Sequence, residues 1–177
     1  MADTVIFKWN PAISSVSMLD FLRDIFQEEP ESDWSVWDHD RVRKGDTFYM
    51  LKVGQGQTGI VMRGTITSDP AADSDWSGRG RQVFYCCYRA EIMINPDTFP
   101  LLDSSLLRDN IPGFDWSGGH SGTVPDGKQA EVLERMWENY LLENRAEFQA
   151  RLDLIEKRGM RNDQLYLSRR LRQMLFR

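Results

Sequence analysis

Residues 38–70, DHDRVRKGDTFYMLKVGQGQTGIVMRGTITSDP, leave this chain few ways to fold. A polar turn, Arg43-Lys44-Gly45-Asp46, opens into a run rich in apolar and aromatic residues at 47–53. Gly54, Gly56 and Gly59 follow, then a second run at 60–67, and Asp69-Pro70 closes the stretch. Two apolar runs joined by a glycine-rich turn predict a β-hairpin. Gly59 and Gly64, beside and inside the second strand, predict a bulge or the close approach of another backbone. A hairpin this apolar cannot stand alone in water, so the other segments must pack around it.

Those segments read in order as follows. Residues 4–9 (TVIFKW) are a short strand ended by Asn10-Pro11. Ser14 or Ser15 caps a helix of about ten residues, because Val16, Leu19, Leu22, Ile25 and Phe26 fall near helical spacing. Residues 27–33 are an acidic loop, and Trp34-Ser35-Val36-Trp37 a compact aromatic segment. Residues 71–81 are a polar loop around Trp76. Residues 82–94, QVFYCCYRAEIMI, form the longest strand, apolar on both parities at first, as a central strand is. A short helix follows at 101–107, then a small-residue loop around Trp116 (GFDWSGGHSGTVP). Residues 128–148 form the strongest helix, with Val132, Leu133, Met136, Trp137 and Tyr140 in one stripe. Gly159 breaks the next helical stretch, and Asn162 or Asp163 caps a last helix through Leu171 and Phe176. The result is an α+β chain around a small, strongly twisted or barrel-like sheet.

With 177 residues, 41% of them hydrophobic and six Trp, the chain can bury a real core. The expected division is a main domain at 1–145 and a basic helical tail at 146–177. No apolar run approaches a membrane span, and the first residues lack the pattern of a signal peptide, so the expected setting is cytoplasmic. Cys86 and Cys87 are adjacent, poor geometry for an ordinary disulfide, and are expected as reduced thiols. The net charge of −5 argues against a uniformly basic surface. From Glu147 onward there are eight Lys/Arg against four Asp/Glu, leaving 14 against 23 before it. Arg169, Arg170 and Arg172 in this tail are candidates for phosphate contact; a solvated helix face docked on the acidic body explains the same charges.

Catalytic patterns are thin. His39 and His120 are the only histidines, and Ser121 beside His120 is a poor nucleophile–base pair because sequence neighbours seldom align that way. Asp38-His39-Asp40 lacks a second half for a metal site. Gly54-Gln55-Gly56 lies between strands, with no helix N-terminus for a phosphate. Nothing here calls for a metal or cofactor. The loop aromatics say more. Trp34, Trp37, Trp76 and Trp116 sit in loops or at element ends among small polar residues (DWSVW, DWSG, DWSGG). A ring so placed can stack on a planar or cationic ligand. Each alone could cover an open barrel end, but one small barrel has few ends to plug.

The order of elements resembles the PUA-like superfamily, and most its EVE and YTH branches. The matching residues are Phe7-Lys8-Trp9-Asn10-Pro11 in the first strand, the Trp34–Trp37 segment, and Val42-Arg43-Lys44-Gly45-Asp46 leading into Phe48-Tyr49-Met50. Gly59-Ile60-Val61-Met62-Arg63-Gly64, Asp69-Pro70 and the strand at 83–94 complete the pattern. It covers about residues 5–140. The acidic body and the long WSGGHSG loop depart from it.

The resemblance implies a PUA-like twisted β pseudo-barrel flanked by helices. It also implies a non-catalytic module that binds RNA or DNA and reads a modified base in an aromatic pocket. By resemblance, Trp34 or Trp37 walls the pocket with Ser35, and Trp76 closes it. Lys8, Trp9 and Asn10 contact the base edge, and Trp116, Ser117 and His120 form a lip. Two other readings stand beside this one. In the first, the tail docks on a protein partner and the Trp loops are structural. In the second, the chain is an amide hydrolase acting on acylated nucleosides, like those of the related ASCH branch; these use a Lys, a Thr and a Glu, of which only Lys8 finds a match.

Overall fold

The structure, a computed structural model, describes residues 2–17, 20–21, 31–75, 77–159 and 164–177. Eight strands lie along these residues: β1 Thr4–Trp9, β2 Glu31–Ser35, β3 Thr47–Lys52, β4 Gly59–Ile66, β5 Ala71–Ser74, β6 Gln82–Ile94, β7 Leu102–Asp103 and β8 Leu165–Leu167. Four helices accompany them: α1 Ser104–Asn110, α2 Gly127–Glu143, α3 Arg145–Arg158 and α4 Arg169–Leu175. One sheet runs β1-β3-β4-β6-β2, with β1–β3 parallel and the other pairs antiparallel.

The organising strand is β6. Its 13 residues are rich in the aromatic and apolar side chains that suit a pleated, half-buried surface. Its length lets each edge serve two partners. One edge pairs β5 and then β4, the other β2 and then β8. Cys86, Tyr88 and Ala90 point into the core, while Tyr85, Cys87 and Arg89 alternate outward. Facing them inside are Val5, Phe7 and Trp9 of β1 and Phe48, Met50 and Leu51 of β3.

Two register shifts curl the sheet, between Met50 and Leu51 and between Arg63 and Gly64. Gly64 is there because a Cβ would lie 2.0 Å from the Arg89 carbonyl oxygen. Residues 121–123 then bridge the sheet's two ends. On one side Ile6 N–H donates to the Thr123 carbonyl (2.9 Å) and Gly122 N–H to the Ile6 carbonyl (2.8 Å). On the other, Trp37 and Asp38 N–H donate to the carbonyls of Ser121 (3.0 Å) and Gly122 (2.9 Å). The twisted β pseudo-barrel flanked by helices expected from the sequence is what forms.

Helix α2 starts at a capping box, with Asp126 and Gln129 each bonding the other's backbone N–H. It buries Leu133, Trp137 and Tyr140 against the sheet. Its outer-edge Glu134 accepts from Tyr49 and takes Arg63 at 2.9 Å, and Arg63 also holds Glu91 at 2.9 Å. The helix ends at Glu143, five residues short of the expected Phe148, and α3 begins after the single capping residue Asn144.

Several elements differ from expectation. Residues 31–33 and 71–74, expected as loops, lie in strands on β6, and Trp34 and Ser35 of the aromatic segment continue the first of these. Leu102–Asp103 pairs β4, so the short helix starts at Ser104. The last helix begins at Arg169, preceded by β8 in the stretch expected as helix. Phe148, Leu152, Leu165, Leu167 and Leu171 are all buried in the shared core. The helix expected from Ser14 falls partly outside the described residues; residues 14–17 are not helical, whereas Asp20 and Phe21 are. Among the described residues no helix is long and apolar enough to cross a membrane.

Candidate functional site

Where β1 ends, where β2 ends and where β6 begins, the sheet opens into a cavity of about 440 Å³. Lys8 and Asn10 come from the first, Trp34 and Ser35 from the second, Tyr85 from the third. The loop at 117–121 forms the remaining wall, and Val16 and Val53 add apolar surface.

Ser121 fixes this geometry. Its hydroxyl oxygen accepts from the Lys8 backbone N–H at 2.8 Å and from the Trp34 indole Nε1–H at 3.1 Å. One side chain therefore locks the indole plane to β1. The next residue can only be glycine. Gly122 has φ +78°, and a Cβ there would lie 2.5 Å from Val36 Cα. The other anchor is Asp115, whose carboxylate accepts from Ser117 N–H (2.9 Å), the Ser117 hydroxyl (3.1 Å) and Gly118 N–H (2.9 Å). These bonds hold the Asp115 carboxyl below the usual carboxylate range, the Ser117 backbone contributing most and the nearby Lys8 charge less.

The loop turned by Asp115 presents the Gly118 carbonyl to Lys8 Nζ. The ammonium also sits 5.6 Å from the Phe114 ring centroid. Burial pushes the Lys8 pKa down, and the Asp115 charge opposes that shift. The cavity thus holds a flat indole, a rim of hydroxyl and amide groups, and a partly desolvated cation. Such a set can bind a planar polar ring by stacking and edge contacts. Its described lining includes no Thr and no Glu. Ser121 is engaged with Lys8 and Trp34, and the His120 ring lies on Trp37. Among the described residues no cluster of His, Cys, Asp and Glu could hold a metal ion.

Of the residues singled out in the sequence, Lys8, Asn10, Trp34, Ser35, Ser117 and His120 come together on this cavity. Trp37 lies just outside it, its ring parallel to His120 with centroids 3.5 Å apart. Trp9 and Trp116 are placed in the core. Trp9 packs edge-on to Phe21 and donates to the Val16 carbonyl; Trp116 packs on Phe114 and donates to the Ile111 carbonyl. Both have the buried ring and satisfied N–H of a structural Trp. Trp76 lies outside the described residues.

In the tail, Arg169 and Arg170 line a separate cavity with Arg89, Thr65 and Thr67. Arg172 is tied to the Leu167 carbonyl at 3.1 Å and to Glu156 at 3.5 Å. Sequence reasoning missed Tyr85, Ser121 and Asp115. The one available signal for the last two was their place in a glycine-rich loop beside His120 and Trp116.

The fold and cavity describe an α+β pseudo-barrel with a ligand-sized opening at one end. No protein-family model matches the chain, and no curated protein matches it in sequence. Among solved structures it is similar to a hypothetical protein from Leishmania major. That pair has a TM-score of 0.53 and 10% identity, over 79% of this chain and 97% of that one, and shares the fold. A protein from Pseudomonas syringae aligns with a TM-score of 0.48 and 14% identity, over 75% of this chain and 99% of the other. The Mmi1 YTH domain, in complex with RNA, aligns with a TM-score of 0.48 and 12% identity, over 81% and 82%.

Proposed function

We propose that this chain is a non-catalytic PUA-like module that binds a nucleobase of RNA or DNA in the Trp34 cavity. The observation that carries the reading is the convergence of the locked Trp34 indole with Lys8, Asn10 and Ser35 around about 440 Å³. That volume is at the small end of the roughly 300–1,000 Å³ of small-molecule sites, and suits one base better than a folded peptide. The indole supplies stacking, which every base can accept. Asn10, Ser35 and Lys8 supply donors for the acceptors on a base edge. Val16 and Val53 give apolar surface for a methyl or similar addition, so a modified base is the preferred ligand. The order of motifs from Lys8 to Gly64 supports the same reading through its resemblance to EVE and YTH domains.

Calorimetric titration with modified and unmodified nucleosides and short single strands tests this. One modified base should bind in preference to its parent. Trp34→Ala should weaken it by the worth of one stacked base, about 1–3 kcal/mol. Trp34→Phe, which keeps a ring but loses the bond to Ser121, should fall between. Nucleoside binding should depend weakly on salt, because Lys8 and Asp33 bring one charge of each sign to the cavity. Saturation by no base, or affinity unchanged in Trp34→Ala, overturns the proposal.

A further inference from the structure

A second cavity, of about 420 Å³, adjoins the first, and the two share Ser35, His120 and Ser121 as a common wall. Its surfaces are flat and already ordered. The Trp37 and His120 rings are parallel within 1° at 3.5 Å. Across the cavity lining, His39 lies on Phe84 at 3.6 Å and 12°. Trp37 is nevertheless 56% exposed even with His120 stacked on it, an unusual place for the largest apolar side chain. A ring held in one plane by a stacked partner loses little freedom when a ligand stacks on it.

Arg81 also lines this cavity, and its Nε–H donates to the buried Asp75 carboxylate at 2.9 Å. Asp75 is fixed in turn by the N–H and hydroxyl of Ser77, at 2.9 and 2.7 Å. The guanidinium is therefore aimed, and the Arg81–Asp75 pair is neutral. It can direct hydrogen bonds at a phosphate or base edge while adding no net charge.

We infer that this second cavity takes the nucleotide next to the one in the Trp34 cavity, its base stacked on Trp37. The unit recognised is then a dinucleotide step of a single strand. The inference rests on the proposed reading of the first cavity and deepens it. Two bases lodged on either side of the wall formed by Ser35, His120 and Ser121 cannot stack on one another. A duplex could present them only by opening both pairs, so single-stranded substrate is preferred.

The test uses calorimetry on the full chain, with the nucleoside that fills the Trp34 cavity as reference. Its dinucleotides, extended on the 5′ or the 3′ side, are compared with the same molecules carrying an abasic sugar in place of the added base. One of the two dinucleotides should bind roughly tenfold tighter than its abasic counterpart, the worth of one stacked base. This ratio should change little between low and moderate salt. Trp37→Ala should bring it close to one, and Trp37→Phe should restore much of it. Equal affinity of both dinucleotides and their abasic counterparts, in a protein that binds the nucleoside, overturns this inference alone. A ratio that survives Trp37→Ala does the same. Failure of every nucleoside to bind removes the reading of the first cavity, and this one with it.

Discussion

Replacing Gly122 by Ala should unfold the site before it unfolds the protein, and the structure sets the size of the effect. At φ +78° an L side chain costs about 1–2 kcal/mol in backbone strain. The added Cβ would also meet Val36 Cα at 2.5 Å, the Ser35 carbonyl oxygen at 2.9 Å and Trp37 N at 3.0 Å. All three are backbone atoms, so no side chain can swing away. Relief requires the 121–123 bridge to move off residues 35–37. That lengthens the bonds from Trp37 and Asp38 N–H to Ser121 and Gly122, each with a net value of about 0.5–1.5 kcal/mol. The expected loss is about 3 kcal/mol in urea unfolding, with unchanged m. Gly80→Ala is the control. Gly80 has φ +71° with nothing within 4 Å of its Cβ, so it carries the strain without the clash and should lose about 1–2 kcal/mol. Because Ser121 moves with the bridge, Gly122→Ala should also release Trp34, seen as a shift in Trp fluorescence emission. Equal losses in the two variants would refute the close-approach argument.

Three further outcomes follow from the geometry. Bonds from Ser77 N–H and its hydroxyl, then from Arg81, pull the Asp75 carboxyl down to about 2 from an ordinary 3.8. A carboxylate depressed on folding stabilises fully above its unfolded pKa and loses that contribution as pH falls through its folded one. Between pH 4 and pH 2 the wild type should therefore lose urea stability that Asp75→Asn does not, and parallel losses would contradict this. Burial pushes the Cys86 thiol up to about 12; in Cys87→Ser, a thiol reagent should label nothing in native protein and one thiol after denaturation, and rapid native labelling would show the core to be open there. Leu167, 2% exposed and paired with Ile92, should cost about 2–4 kcal/mol as Ala within a single transition, and a separate early transition for the tail would refute the packing described.

What the sequence could reveal depended on where each strand's partner lay. The hairpin, β1, β6 and α2 carried their own apolar signal and were legible from it. Strands β2 (ESDWS) and β5 (AADS) were not, because β2 has no fully buried residue, β5 is exposed throughout, and both form to satisfy the edges of β6. β8 is three residues long, too short for alternation to separate it from a helix. The site was half legible for the same reason. Trp34 and Lys8 stood out by type and neighbourhood. Trp116, in DWSGG, looked the same as Trp34 in DWSVW, yet its ring is buried and its N–H is satisfied by the Ile111 carbonyl. Ser121 had only its place in the glycine-rich loop beside His120, since its role depends on β1 and β2 meeting across it in space.

The two-sided pairing of β6 also has a consequence for synthesis. Its four neighbours span Glu31 to Leu167, so three of them are made before it and one is made more than 70 residues after it. As the chain emerges in order, the backbone groups at Ile92–Ile94 find β4 waiting on one edge and nothing on the other until β8 appears. Through that interval a nascent chain carries an apolar strand edge able to pair with a neighbour. Slow translation between residues 95 and 164 would lengthen this exposure, and a chaperone that shields strand edges would matter most in that window.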